Sequence, residues 1–145
     1  MNKLKVYCAG PITGFSYDEV NFWRLYVEDS LGEEFEIISP MRNKQFLRNE
    51  EIIQTDYNEL ISTSKGIFCR DKWDVQRCDI LLVNFYNSKN ISIGTVAEIA
   101  WAHLLNKPIV LVTNNELYNH PFINEMVNFT VDNLDDAIEV IRNLR

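Results

Sequence analysis

The chain is poor in the residues that break, staple or metallate a fold. Its 145 positions hold five glycines, four prolines, three cysteines and two histidines. So little Gly and Pro, beside a 46% hydrophobic and 12% aromatic content, excludes disorder, collagen-like repeats and low-complexity scaffolds. Cys8, Cys69 and Cys78 form an odd set with no CxxC pair, so reduced thiols and a cytoplasmic protein are expected. His103 and His120 stand alone without metal-ligand spacing; neither a metal nor a cofactor is expected. Basic residues are outnumbered, 14 Lys+Arg against 21 Asp+Glu, for a net charge of −7. That disfavours a polynucleotide partner held by phosphate neutralisation, yet leaves room for a cationic pocket around one phosphate. No apolar run reaches the roughly 18 residues of a membrane span, and Met1-Asn2-Lys3-Leu4-Lys5 lacks a signal-peptide core.

What is present fits one domain over residues 1–145, since domains commonly run to about 100–200 residues. Short apolar runs, at Leu4–Ala9, Phe35–Ile38, Ile80–Phe85, Pro108–Val112 and Phe129–Val131, alternate with helical patterns. Alternation of this kind predicts an α/β fold with a parallel sheet. Ile80-Leu81-Leu82-Val83 and Ile109-Val110-Leu111-Val112 read as strands buried on both faces. Ser16-Tyr17-Asp18-Glu19 reads as a capping box, with Phe15 and Val20 as a hydrophobic staple. That helix is expected to run to Leu31 and to stop at Gly32 in a left-handed C-cap. A polar loop is expected through Asn49, then a helix over about 50–63, then a second helical piece ending near Cys78. The last helix shows one apolar stripe, Leu134, Ala137, Ile138, Ile141 and Leu144, with Asp135 and Asp136 at its start and Arg142 and Arg145 at its end.

The expected architecture is a flavodoxin- or Rossmann-like, doubly wound, five-stranded parallel sheet of order 2-1-3-4-5. In such sheets ligands bind beyond the carboxyl ends of the strands, where the winding reverses. Ala9-Gly10-Pro11-Ile12-Thr13-Gly14 and Ser92-Ile93-Gly94-Thr95 would meet there. The first is neither GxGxxG nor a Walker loop, and fits either a tight turn or close backbone approach to a ligand. From Gly94 to about Leu105 the chain reads as a helix apolar nearly all round, which predicts burial on more than one face. Glu98 is its one charge. A buried carboxylate costs several kcal/mol unless paired, so Glu98 is either a nucleophile held near the helix start or a residue on an edge open to solvent. Asp71 and Asp74 both precede the third strand and both fit a second, proton-handling carboxylate; Asp79 fits a junction cap. Trp23, Trp73 and Trp101 fit core or interface better than base stacking.

Val6-Tyr7-Cys8-Ala9-Gly10-Pro11-Ile12, Cys78-Asp79-Ile80-Leu81-Leu82-Val83 and Ser92-Ile93-Gly94-Thr95-Val96-Ala97-Glu98-Ile99-Ala100-Trp101-Ala102 together resemble the nucleoside 2-deoxyribosyltransferase family, including its nucleoside 5′-monophosphate N-glycoside hydrolases. The resemblance implies that Glu98 attacks C1′ of the sugar, that Tyr7 positions that carboxylate, and that Asp71 handles the proton. It implies that Gly10 and Pro11 border the sugar, and that Ser92, Gly94 and Thr95 border its 5′ end. Nucleoside transferases carry an acid where this chain has Ser92, which turns the expectation toward a 5′-monophosphate. The hydrolases' Ser and Arg of the first loop are missing, and Arg42 and Arg70 are candidate replacements. A homodimer or higher homo-oligomer with shared sites is implied, with Asn124 or His120 entering from a neighbouring subunit. The apolar helix at 94–105 and the 119–128 segment are the expected interface. Alternatives are a transferase of free deoxynucleosides, a nucleotide-sequestering protein of the same fold, and a flavodoxin-like partner-binding domain.

Overall fold

Alternating side chains along each strand sort the core into two layers. In the structure, a computed structural model describing residues 2–145, β1 (Leu4–Ala9), β2 (Phe35–Ile38), β3 (Ile80–Asn84), β4 (Ile109–Val112) and β5 (Phe129–Val131) pair in parallel in the order β2-β1-β3-β4-β5. Val6 and Cys8, Ile80 and Leu82, and Val110 and Val112 point to one face. There they meet α1 (Tyr17–Leu31) and α5 (Leu134–Arg142) through Val27, Leu31, Ala137, Ile138 and Ile141. Tyr7, Leu81, Val83, Ile109 and Leu111 point to the other, with Val75 of α2 (Ser64–Arg77), Ile99 and Ala102 of α3 (Ile93–Leu104) and Ile123 of α4 (Pro121–Met126). Period 2 in the strands and 3.6 in the helices thus builds the doubly wound sheet that the sequence predicts.

Strand and helix ends follow local chemistry. Ser16 caps α1 in a complete capping box, its hydroxyl accepting the Glu19 N–H at 3.1 Å while Glu19 accepts the Ser16 N–H at 3.1 Å. Phe15 packs on the cluster that holds Val20, as a staple requires. Three expectations are corrected. Gly32 ends α1 in right-handed backbone, φ −63°, its N–H still bonded to Glu28 O, so no left-handed cap forms. Arg145 lies past the end of α5 and pairs with Glu34 instead of facing the helix terminus.

The third correction is larger. Residues 50–63 are not an α-helix; short 3-10 turns at Gln45–Leu47 and Leu60–Ser62 flank an irregular stretch. The Ile53 N–H donates to Phe15 O and Ile53 O accepts from Gly14 N–H, at 2.8 and 2.9 Å, with the Ile53 side chain buried beside Val20, Met41 and Leu47. Asp56 accepts the Ser64 N–H and the Tyr57 hydroxyl accepts the Gln54 N–H. The Ile53 and Gln54 backbone groups that an α-helix would use internally are thus taken by the first loop and by a side chain.

Burial pushes the Cys8 thiol up to about 12 and the Cys78 thiol up to about 11. Both are protonated core groups; Cys69 alone is exposed. No helix among the described residues is long and apolar enough to cross a membrane.

Candidate active site

The winding reverses between β1 and β3, and a cleft of about 1300 Å³ opens beyond their carboxyl ends. The loop from Gly10 to Phe15 forms one wall, residues 87–95 the opposite wall, and Asp71 and Glu98 the floor. Gly10 is glycine because a Cβ there would stand 2.9 Å from Asn84 O, where the loop crosses the end of β3. The close approach that the sequence left open is to the protein's own strand.

Beneath this loop lies Arg24, 2% exposed although it is an arginine. Its guanidinium donates to Cys8 O, Val20 O and Gly10 O and stacks over Trp23. The first loop is held from below by a buried cation. Sequence reasoning missed it, although Val20, Arg24, Val27 and Leu31 form the buried stripe of α1 and a charge in that stripe was the available signal.

Two carboxyl groups and a phenol come together from two helices and a strand. Tyr7 projects from β1 onto the α2/α3 face, and its hydroxyl donates to the Glu98 carboxylate. Glu98 sits on the buried stripe of α3 with Thr95, Ile99 and Ala102, 6% exposed, and its Oε2 has no partner. Asp71 faces it from α2, with a buried and unpartnered Oδ1. Burial pushes the Glu98 carboxyl up to about 8, and the neighbouring Asp71 charge adds to this while the Tyr7 hydrogen bond opposes it. Burial also raises Asp71, to about 6, against the pull of the Lys44 cation. Tyr7 stays a phenol, its titration driven far up by burial and by both carboxylates. Burial, and the Asp71 charge acting on Glu98, disfavour ionising both acids at once, and each keeps one oxygen without a hydrogen-bond partner. Such a pair can attack with one oxygen and donate a proton with the other.

Asp74, the competing candidate, is fully buried in an ion cluster outside the cleft. Arg42 grips it bidentately at 2.6 and 2.9 Å, and Arg77 Nε at 3.1 Å. Arg70 donates to Pro40 O and Arg42 O. Both arginines offered as phosphate ligands are therefore spent on the protein, and neither lines the cleft. Asp79 is a junction cap, accepting the Lys5 N–H at 2.7 Å.

At the other end of the cleft Ser92 caps α3. Its hydroxyl accepts the Thr95 N–H and lies 2.8 Å from Thr95 Oγ1. The first intrahelical bond runs from Val96 N–H to Ser92 O, so the Ile93 and Gly94 N–H groups have no acceptor within the helix. Gly94 leaves open space where a Cβ would stand. Tyr118 braces this corner: stacked on Phe85 at 3.4 Å, its hydroxyl accepts the Ser92 N–H and donates to Asn90 O. Pro11 lines the cleft, whereas Asn124 does not. Asn124 is exposed on α4 and donates to Asn119 Oδ1, and His120 caps the same helix through Phe122 N–H. Lys89 is the single Lys or Arg among the described lining residues, and sequence reasoning passed over it.

Within one chain α3 buries a single face, against the expectation of several. Ile93 and Leu104 stand 84% and 79% exposed, and Phe122 of the neighbouring α4 73%.

The family profile for nucleoside 2-deoxyribosyltransferases matches residues 6–138. By sequence, no curated protein matches. Among solved structures, the 2-deoxyribosyltransferase of Bacillus psychrosaccharolyticus is 18% identical, covers 92% of this chain and 90% of its own, and has a TM-score of 0.67. The CMP N-glycosidase of Clostridium botulinum is 15% identical over 97% of this chain and 99% of its own, TM-score 0.56. The molybdenum cofactor binding protein of Rippkaea orientalis is 17% identical over 99% and 98%, TM-score 0.64. At these identities the likenesses show the fold, and the fold is shared by enzymes and a cofactor-binding protein.

Proposed function

Because the chain belongs to the nucleoside 2-deoxyribosyltransferase family, we propose that it breaks the N-glycosidic bond of a deoxyribonucleoside 5′-monophosphate or nucleoside through a glycosyl-enzyme on Glu98. The observation that carries this reading is the pair of buried, unpartnered oxygens, Glu98 Oε2 and Asp71 Oδ1, on one cleft floor. Glu98, the group raised further, holds the proton in the free chain; reaction starts once that proton has passed to Asp71 and the charge to Glu98, a shift that the Tyr7 hydrogen bond assists. Glu98 attacks C1′ as the bond to the base breaks, and the base leaves with the proton from Asp71. Water or a second base then attacks C1′, frees the Glu98 carboxylate and returns a proton to Asp71. Gly10 and Pro11 flank the sugar, and Ser92, Gly94 and Thr95 its 5′ end. The 5′-monophosphate is preferred because a hydroxyl and unpaired helix N–H groups stand there, where a carboxylate would repel it.

Incubation with nucleosides and 5′-monophosphates, with and without an acceptor base, tests the reading by chromatography. Free base without acceptor marks a hydrolase, and a new nucleoside only with acceptor a transferase. Tight binding without turnover would replace the enzyme by a binding protein, as the Rippkaea neighbour is.

A second copy of this chain is proposed to close the cleft, bringing Asn124 or His120 to it. A volume of about 1300 Å³ exceeds the roughly 300–1,000 Å³ of small-molecule pockets, and α3 and α4 expose the apolar side chains of Ile93, Leu104 and Phe122, Ile93 on the cleft itself. Sedimentation at micromolar concentration is expected to show a dimer or larger species, and Leu104→Lys with Phe122→Glu a monomer that has lost turnover. An active wild-type monomer would refute this arrangement.

A further inference from the structure

We propose that Lys89 is the cation that selects a 5′-phosphate in this cleft, an assignment that rests on reading the site as a nucleotide N-glycoside cleft. The other nearby cations are committed or remote. Arg42 is held by Asp74 and Ser39 O, Arg70 by Pro40 O and Arg42 O, and Arg24 by three main-chain carbonyls under the first loop. Lys44 is buried and does not line the cleft. Lys89 does line it, is exposed, and joins none of the ion pairs among the described residues.

Its backbone is fixed on both sides. Ser88 N–H donates to Phe85 O at 3.0 Å, and Asn115 Nδ2 to Ser88 O at 3.3 Å. On the far side the Tyr118 hydroxyl donates to Asn90 O at 3.0 Å. One residue earlier, Asn87 and Asn114 exchange two hydrogen bonds of 2.8 Å. Lys89 therefore leaves a braced wall, and only its stem is free to move. It precedes the Ser92 cap by three residues, so the two Cα atoms lie within about 11 Å. A four-carbon stem ending in a point charge covers about half of that interval and leaves room for a phosphate between the ammonium and the helix start. A phosphate there would accept from the α3 N–H groups on one side and from the ammonium on the other. The unpartnered Glu98 Oε2 on the same cleft marks where the sugar end of such a ligand would lie.

Three carboxyl groups line the same cleft: Asp71 and Glu98 are the catalytic pair, and Glu19 is the third. Glu19 is locked in its capping box, and the Ser16 N–H and hydroxyl, with a smaller contribution from Lys89, hold its carboxyl below the usual range. Glutamine keeps a capping box intact, so Glu19→Gln removes this charge without removing the cap.

The test compares kcat/KM for a deoxynucleoside and its 5′-monophosphate in wild type, Lys89→Gln, Lys89→Glu and Glu19→Gln. The monophosphate-to-nucleoside ratio is expected to fall about tenfold in Lys89→Gln and further in Lys89→Glu, and to rise in Glu19→Gln. High salt should shrink these differences. A ratio that stays put in both Lys89 variants overturns the assignment while leaving the glycosidase reading standing. If neither compound is cleaved, that reading fails, and calorimetric binding of the monophosphate to wild type and Lys89→Glu decides. Weaker binding to the variant supports Lys89; equal binding, or none, overturns it.

Discussion

Glu98→Gln will silence the protein and make it harder to melt. Turnover is expected to fall at least about a thousandfold, because an amide cannot form or release the glycosyl ester. Stability moves the other way. In the native state the Glu98 carboxyl is raised from 4.5 to about 8, so the folded chain binds this proton more tightly than the unfolded chain. Stability linked to the group is complete below about pH 4.5 and is lost progressively as pH rises through about 8. Gln carries no such penalty. Each pKa unit is worth about 1.4 kcal/mol, so the variant should gain a few kcal/mol over wild type by pH 8.5 and little at pH 5. In thermal melts the gap should open with pH and exceed about 5 °C at the alkaline end. Parallel melting curves at both pH values would show that Glu98 is solvated and would remove the physical basis for its assigned role. The opposition of the two effects is what a site kept unsatisfied for its ligand produces.

Asp74→Ala carries the largest expected loss of stability. The carboxylate has no exposed surface and bridges Arg42 to Arg77, so its removal strands two guanidinium groups that the protein has partly withdrawn from water. Breaking a buried pair from one side typically costs about 3–5 kcal/mol. Arg42 and Arg77 retain 29% and 23% side-chain exposure and can partly rehydrate, which places the expectation at about 2–4 kcal/mol. Urea titration should show the midpoint fall with the slope unchanged. Arg42→Ala should then cost much less in the Asp74→Ala background than alone, since the partner is already gone. A loss below about 1 kcal/mol, or full additivity of the two, would show that the cluster is ornamental. The same cluster holds the 39–44 loop that carries Lys44 toward Asp71, so the double variant should also move the pH dependence of turnover.

The sheet was legible because its signals are local: runs such as Ile109–Val112 admit no polar face, and each ends within a residue or so of the expected place. Glu98 was legible for the same reason, as one charge in an apolar helix. The 50–63 segment was not, because its conformation depends on Ile53 bonding to Phe15 and Gly14, a partnership that no window of sequence contains. Arg42 and Arg70 were plausible ligands by charge alone; only the fold reveals that Asp74 and two carbonyls had claimed them. Lys89 escaped for the converse reason. It sits in an irregular stretch with no periodicity, and its place on the cleft follows from Asn114, Asn115 and Tyr118 on a later loop.

The strand order has a bearing on how the chain is born. β1 is made first and lies inside the sheet, yet its β3 neighbour lies 74 residues downstream, the separation of Lys5 from Asp79. A nascent chain leaving the ribosome can pair β1 with β2 early and must then keep the other edge of β1 open until Ile80–Asn84 emerges. At about 5–20 residues per second that wait lasts several seconds, with Tyr7 and Ala9 uncovered beside an unpaired edge. Slow codons between β2 and β3 would lengthen the interval in which two nascent chains can meet edge to edge, and aggregation during expression should track them.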